Sequence, residues 1–248
     1  MLNTNPLKVI MNIENENGEF RKLQLAESLG IAVAYIVLLN IFGIFTLIPD
    51  YLSIKNLVVL SIYRVIIIIV FFFLVVAVLA KFYIPKLELN NVTKSESKIN
   101  YKSIILLILF IIGFKLALDA ALTPLVKMTS SFKSITGYIQ DMAKIPLFLI
   151  AYGIVLGPMI EEILLRGIIF NGLAKSYSNK IAIIISSLIF GLIHLNIYQF
   201  CMAFLFGLFL AFLYVKAHSI ILCIFAHIFH NIYTTVTLLF LPKYFPIY

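Results

Sequence analysis

The sequence predicts an all-α protein, a polytopic transmembrane helical bundle of about seven spans within a range of six to eight, and three observations carry that prediction. Apolar runs recur at the length of a membrane-crossing helix, about 20 residues. The weak period-2 alternation of outer-membrane strands is absent, and a chain embedded in lipid has only helices or closed barrels with which to satisfy its backbone. Of the 248 residues, 62% are hydrophobic and only 12% charged, with a mean hydropathy of +1.08, well outside the make-up of a soluble domain.

Taken in order, residues 1–27 form a polar segment containing Glu14, Glu16, Glu19, Arg21 and Lys22. No apolar core flanked by a basic region and a small-residue cleavage site marks a signal peptide there. Residues 28–145 hold the N-terminal spans, expected at Ser28–Leu47, Leu57–Ile84 and Ser103–Val126, with a Lys-, Asn- and Ser-rich loop from Lys86 to Lys102 before the third. Residues 146–241 hold four more, at Pro146–Ala174, Ile181–Leu195, Ile197–Val215 and Ser219–Leu241. The fifth is short for about 30 Å of hydrocarbon and is expected to end inside the bundle. Pro242 and Pro246 close the last helix and leave 242–248 as a short tail.

A net charge of +8 raises nucleic acid as a partner, but the lysines sit mostly in short loops between apolar runs. There they read as topology signals and contacts with the lipid bilayer. With a cytoplasmic N-terminus and seven alternating spans, eleven basic residues fall in cytoplasmic segments: Lys8, Arg21, Lys22, Lys81, Lys86, Lys94, Lys98, Lys102, Lys175, Lys180 and Lys216. Five fall on the other side, Lys55, Lys127, Lys133, Lys144 and Lys243. Cytoplasmic loops retain Lys and Arg, so the N-terminus is expected inside. The Ile, Lys and Asn bias points to an AT-rich genome and a bacterial plasma membrane. Cys201 and Cys223 lie within apolar spans and imply no disulfide.

Ionisable groups inside apolar spans mark functional-site candidates, because a charge at bilayer depth costs several kcal/mol. The fourth span carries Glu161, Glu162 and Arg166. Glu162 and Arg166 are i,i+4 neighbours able to form an ion pair, while Glu161 lies about 100° round the helix and stays free as a general base or acid. The fifth span supplies His194, and the seventh supplies His227 and Asn231 on one face. From the helix ends assigned to the cytoplasm, a rise of about 1.5 Å per residue puts Glu161 and His194 roughly 20 Å deep and His227 and Asn231 about 12 and 18 Å deep. The four can meet at one level. Amide hydrolysis needs an activated water and donors for the tetrahedral oxyanion: a Glu and a His supply the first, His and Asn donors the second. Two His and a Glu are also a zinc ligand set, which leaves Glu161, His194 and His227 as the metal alternative; Asn231 suits an oxyanion better than zinc.

Glu161-Glu162-xxx-Arg166, Phe190-xxx-His194 and His227-xxx-Asn231, in that order on successive late helices, resemble the three signature motifs of the CPBP intramembrane proteases, the CAAX- and bacteriocin-processing group also called the Abi family. The resemblance covers roughly residues 146–241. It implies that Glu161 and His194 activate water, that His227 and Asn231 form the oxyanion hole, and that Glu162 and Arg166 hold the site in place. It implies cleavage of a membrane-associated peptide or protein near the cytoplasmic face, with no cofactor required.

Structural readings stand beside these. Glu162 and Arg166 can be a helix-stapling pair, His194 and His230 packing residues, and His218 a solvated loop residue. Lys115 and Asp119, i,i+4, are expected to neutralise each other, Arg64 to meet a carboxylate of another helix or snorkel, and Gly207 and Ala211 to serve close helix packing. Two other functions remain, a proton- or ion-coupled transporter and a non-catalytic immunity or scaffold protein. A transporter is expected to show an internal repeat with matching broken helices, and none is apparent.

Overall fold

A computed structural model describes residues 24–82, 101–129 and 131–240, and among these it contains helices and no strand. The expectations for the polar N-terminal segment, most of the Lys86–Lys102 loop and the tail fall outside the described residues. Three helices precede the motif region: α1 (Leu25–Tyr51), α2 (Leu57–Phe82) and α3 (Tyr101–Met128). A capping box, with the Gln24 N–H donating to Glu27 Oε2 at 2.8 Å, starts α1. Asn56 Oδ1 accepts from the amides of Val58 and Val59 at 3.0 and 3.2 Å and starts α2, satisfying donors that the first turn leaves orphaned.

The connection between the third and fourth spans is more than a loop. It folds into α4 (Ser131–Ala143), a 13-residue helix of mixed polar and apolar composition that no long apolar run signals. A 31-residue helix follows, α5 (Pro146–Ser176), and it is not uniform. Its segments Leu149–Leu156 and Ile163–Phe170 are π-helical, on either side of an α-helical turn, Gly157–Glu162. Then come α6 (Asn179–Leu192), α7 (Ile197–Ala217) and α8 (Ile220–Phe240). Six of the described helices are long and apolar enough to cross a membrane, and α6 is not one of them. At 14 residues, α6 is about 21 Å long and stops within the bundle, as its short apolar run suggests. The chain is a multi-pass membrane protein of six full-length helices and one partial one.

Close approach in the second half depends on small residues. A Cβ on Gly207 would lie 3.1 Å from Phe190 Cδ1 and 3.2 Å from Ser187 Cα, so glycine is what lets α7 settle against α6. Ala211, one turn on, is fully buried. The α6–α7 corner turns through Leu195 with φ 50, after which Asn196 Oδ1 caps α7 by accepting from the Gln199 amide at 3.1 Å. His218, exposed and left-handed with φ 48, ends α7.

Hydrogen bonds and packing sort the helix ends. Tyr177 Oη, just past α5, donates to Gln24 Oε1 at 2.9 Å, and Asn171 Nδ2 donates to Tyr214 Oη at 3.0 Å. The start of α1, the end of α5 and the end of α7 therefore share one end of the bundle. At the other, Tyr198 Oη donates to Asp119 Oδ1 at 3.0 Å, and Tyr198 and Met202 pack with Leu118, Leu122 and Leu238. The start of α7 and the ends of α3 and α8 meet there. Arg64 joins Asp50 on α1 at 2.7 Å and lies 6.0 Å above the Phe148 ring, which fixes the α1–α2 turn and the start of α5 at this second end.

Candidate active site

The site is built on the middle of α5, where backbone register and side-chain chemistry are linked. The Gly157 amide donates to the Tyr152 carbonyl five residues back, the spacing of a π turn. Continuing that register, the next amide would bond the Gly153 carbonyl, but the next residue is Pro158, which has no N–H. The carbonyl of Gly153 is left without its helical donor, and a buried carbonyl needs one. Asn231 of α8 supplies it, with Nδ2 donating to Gly153 O at 2.9 Å. A proline in one motif thus fixes the amide of another. Gly157 is itself required here, because a Cβ would fall 2.7 Å from the Tyr152 oxygen.

Glu162 and Arg166 are both fully buried and form the expected pair, Arg166 Nη1 donating to Glu162 Oε1 at 3.1 Å. Two further contacts make the pair more than a staple. Arg166 Nη2 donates to the Gly207 carbonyl at 2.8 Å, and its guanidinium carbon sits 5.4 Å over the Phe190 ring. Glu162 Oε1 also accepts from His227 Nδ1 at 2.9 Å. Binding Nδ1 in this way orients the imidazole, as a carboxylate does for a catalytic or metal-bound histidine, and turns Nε2 toward Glu161, whose Oε2 is 3.6 Å away. That separation is long for a direct hydrogen bond and short enough for a shared water.

His194 follows the last turn of α6, where its Nδ1 lies 2.9 Å from the Phe190 carbonyl. A carbonyl only accepts, so the imidazole donates from Nδ1 and, when neutral, keeps a lone pair on Nε2. Phe190 meets both imidazoles edge-on, with ring centroids 5.2 Å from His194 and 5.4 Å from His227. The aromatic residue of the second motif is therefore a wall between two functional rings.

Glu161, His194, His227 and Asn231 all line one cavity of about 330 Å³. The sequence brings these four to one level by arithmetic on helix rise; the structure adds residues that the sequence did not single out. Tyr138 and Met142 of α4, Tyr152 of α5, Gln199 of α7 and Thr234 of α8 also line it. His230 lies there too, stacked on Phe206 at 4.1 Å between centroids, its Nδ1 3.3 Å from Asn231 Oδ1. His230 is thus a packing residue that also touches the amide. A zinc set of Glu161, His194 and His227 was the metal alternative, but among the described residues no three His, Cys, Asp or Glu side chains are placed to hold a metal ion.

Outside the motifs, Lys115 Nζ meets both oxygens of Asp119, 2.5 and 2.6 Å away, and Arg64 meets Asp50 from the neighbouring helix, as their charge requires. Cys201 and Cys223 are both free.

Fold and site together define a polytopic helical membrane protein with a carboxylate, two imidazoles and an amide facing a cavity inside its bundle. Residues 143–233 match the family model described as type II CAAX prenyl endopeptidase Rce1-like. The chain is 37% identical over 92 residues to the Bacillus subtilis (strain 168) protein named "Putative membrane peptidase YdiL", an alignment that covers 37% of each chain. It therefore spans well under two thirds of that relative's length. No solved structure matches. Through its C-terminal helices the chain belongs to the CPBP family.

Proposed function

We propose that the chain is an intramembrane endopeptidase of a bacterial plasma membrane, hydrolysing a peptide bond of a membrane-associated peptide or protein. The observation that carries this reading is the convergence of Glu161, His194, His227 and Asn231 on one cavity. Water held between Glu161 and the His194 Nε2 lone pair attacks the scissile carbonyl carbon. The water O–H bond breaks, its proton passes to the Glu161–His194 pair, and the carbonyl π electrons move to oxygen. Asn231 spends one N–H on Gly153 and has a second for that oxyanion; a protonated His227 adds a donor from Nε2, its Nδ1 being held by Glu162. Collapse breaks the C–N bond, and the proton taken from water leaves on the amine. Preorganised donors of this kind are worth about 3–4 kcal/mol each in other proteases. No metal is needed for any step.

The test compares membrane peptides from cells carrying the native chain with those from cells carrying Glu161→Ala at equal abundance. An uncleaved peptide should accumulate in the variant. Identical peptide profiles would sink the reading in favour of a binding or immunity role.

A further inference from the structure

We infer that the catalytic cavity opens on the non-cytoplasmic face of the membrane and takes an uncharged, apolar peptide segment presented from that side. This rests on the endopeptidase reading for the word catalytic, but its geometry stands apart from it. The cavity is lined by Tyr138 and Met142 of α4, the start of α5 at Tyr152, the start of α7 at Tyr198 and Gln199, and the end of α8 at Leu238. All belong to the end of the bundle where Tyr198 meets Asp119 and Arg64 meets Asp50.

The basic residues crowd the opposite end. The end of α5 and start of α6 hold Lys175 and Lys180, and the end of α7 holds Lys216. α3 begins there as well, because Leu107 packs with Leu213 and Tyr214, which brings in Lys102. The segment from α2 to α3 carries Lys86, Lys94 and Lys98, and Arg21 and Lys22 precede α1, whose start is bonded to Tyr177. The cavity end has Lys55, Lys127, Lys133 and Lys144 beside its helices. Basic residues in short loops are retained in the cytoplasm, so the Lys-rich end is inside and the cavity end is outside. A cytoplasmic N-terminus and cleavage near the cytoplasmic face, both expected from the sequence, are incompatible in this fold. The charge bias keeps the first and displaces the second.

The lining also limits what enters. Apart from Glu161, its charged side chain is Lys115, already bound to both oxygens of Asp119; the rest are aromatic, amide, hydroxyl, imidazole and apolar groups. Such a wall offers a charged substrate residue no counter-ion inside a low-dielectric bundle.

Single cysteines at exposed positions test the orientation in intact cells with a membrane-impermeant maleimide, the native chain giving the background from Cys201 and Cys223. Lys144→Cys and Lys55→Cys, at the cavity end, should label from outside to the level reached after permeabilisation, and Lys180→Cys only after permeabilisation. Labelling of Lys180→Cys in intact cells, or of Lys144→Cys and Lys55→Cys only in permeabilised ones, would overturn the assignment. Neither readout needs catalysis. A reversed result therefore removes the orientation and leaves the endopeptidase reading to the Glu161→Ala comparison.

Discussion

The bundle holds two buried acid–base pairs at the same i,i+4 spacing, and they differ in what else each one touches. In α5 the acid precedes the base; Glu162 Oε1 is shared between Arg166 and His227, and Arg166 reaches on to the backbone of α7 at Gly207. In α3 the base precedes the acid, the weaker order for an isolated helix. There Lys115 meets both oxygens of Asp119, and Asp119 also accepts from the Tyr198 hydroxyl. Both pairs neutralise charge in a low-dielectric interior. Only the first passes its geometry to an imidazole that faces Glu161. Spacing identifies a buried pair; its third partner decides whether the pair serves the fold or the site.

The largest expected effect breaks the α5 pair. Arg166→Ala strands a fully buried Glu162 carboxylate whose Oε2 already has no hydrogen-bond partner. Leaving a buried charge unpaired costs about 3–5 kcal/mol. Membrane abundance and thermal stability in detergent should both fall sharply. Normal accumulation of Arg166→Ala, with Glu161→Gln degraded instead, would reverse the division between supporting and catalytic groups.

This division shows how much could be read in advance. The apolar runs predicted every long helix, because lipid demands a continuous stretch of them, and the motif spacings marked the four residues of the cavity. Other features rest on contacts between positions far apart in sequence. Nothing near Glu162 announces His227, 65 residues on, and nothing near Asn231 announces the carbonyl of Gly153. Pro158 was the available signal, since a proline inside a long helix leaves a carbonyl needing a donor. Helix α4 escaped because 13 residues of mixed polarity look like a loop beside apolar runs. The partner of Arg64 was foreseen as a carboxylate on another helix, and only the packing of α1 on α2 identifies it as Asp50.

A second prediction carries the comparison to the cavity itself. Asn231 is held by the Gly153 carbonyl, and its other N–H is assigned to the oxyanion. Asn231→Ala should lower turnover by about two orders of magnitude, while 1,10-phenanthroline leaves the purified native enzyme largely active. A zinc mechanism makes the opposite forecast. Stoichiometric zinc, with activity lost on chelation and restored by zinc, would make Asn231 an outer-shell group of modest effect.

The smallest effect is expected at the α3 pair, and it gives the sharpest form of the comparison. Replacing a whole buried ion pair by apolar residues of similar volume is often neutral or stabilising, because the desolvation penalty disappears together with the attraction. Lys115→Met with Asp119→Leu does this, and adding Tyr198→Phe removes the hydroxyl that would otherwise lose its acceptor. The triple variant should stay within about 1 kcal/mol of the native stability by this argument and keep turnover near the native value. The matching change in α5, Arg166→Met with Glu162→Leu, also removes both charges, but it frees the His227 ring from its carboxylate and leaves the Gly207 carbonyl without a donor. Losing such an orienting partner typically costs roughly 10- to 100-fold in activity, even where the helix survives. Thermal unfolding and turnover measured on both variants decide the matter. If the α3 variant loses turnover as severely as the α5 variant at native stability, Lys115 and Asp119 belong to the site and the third-partner distinction fails.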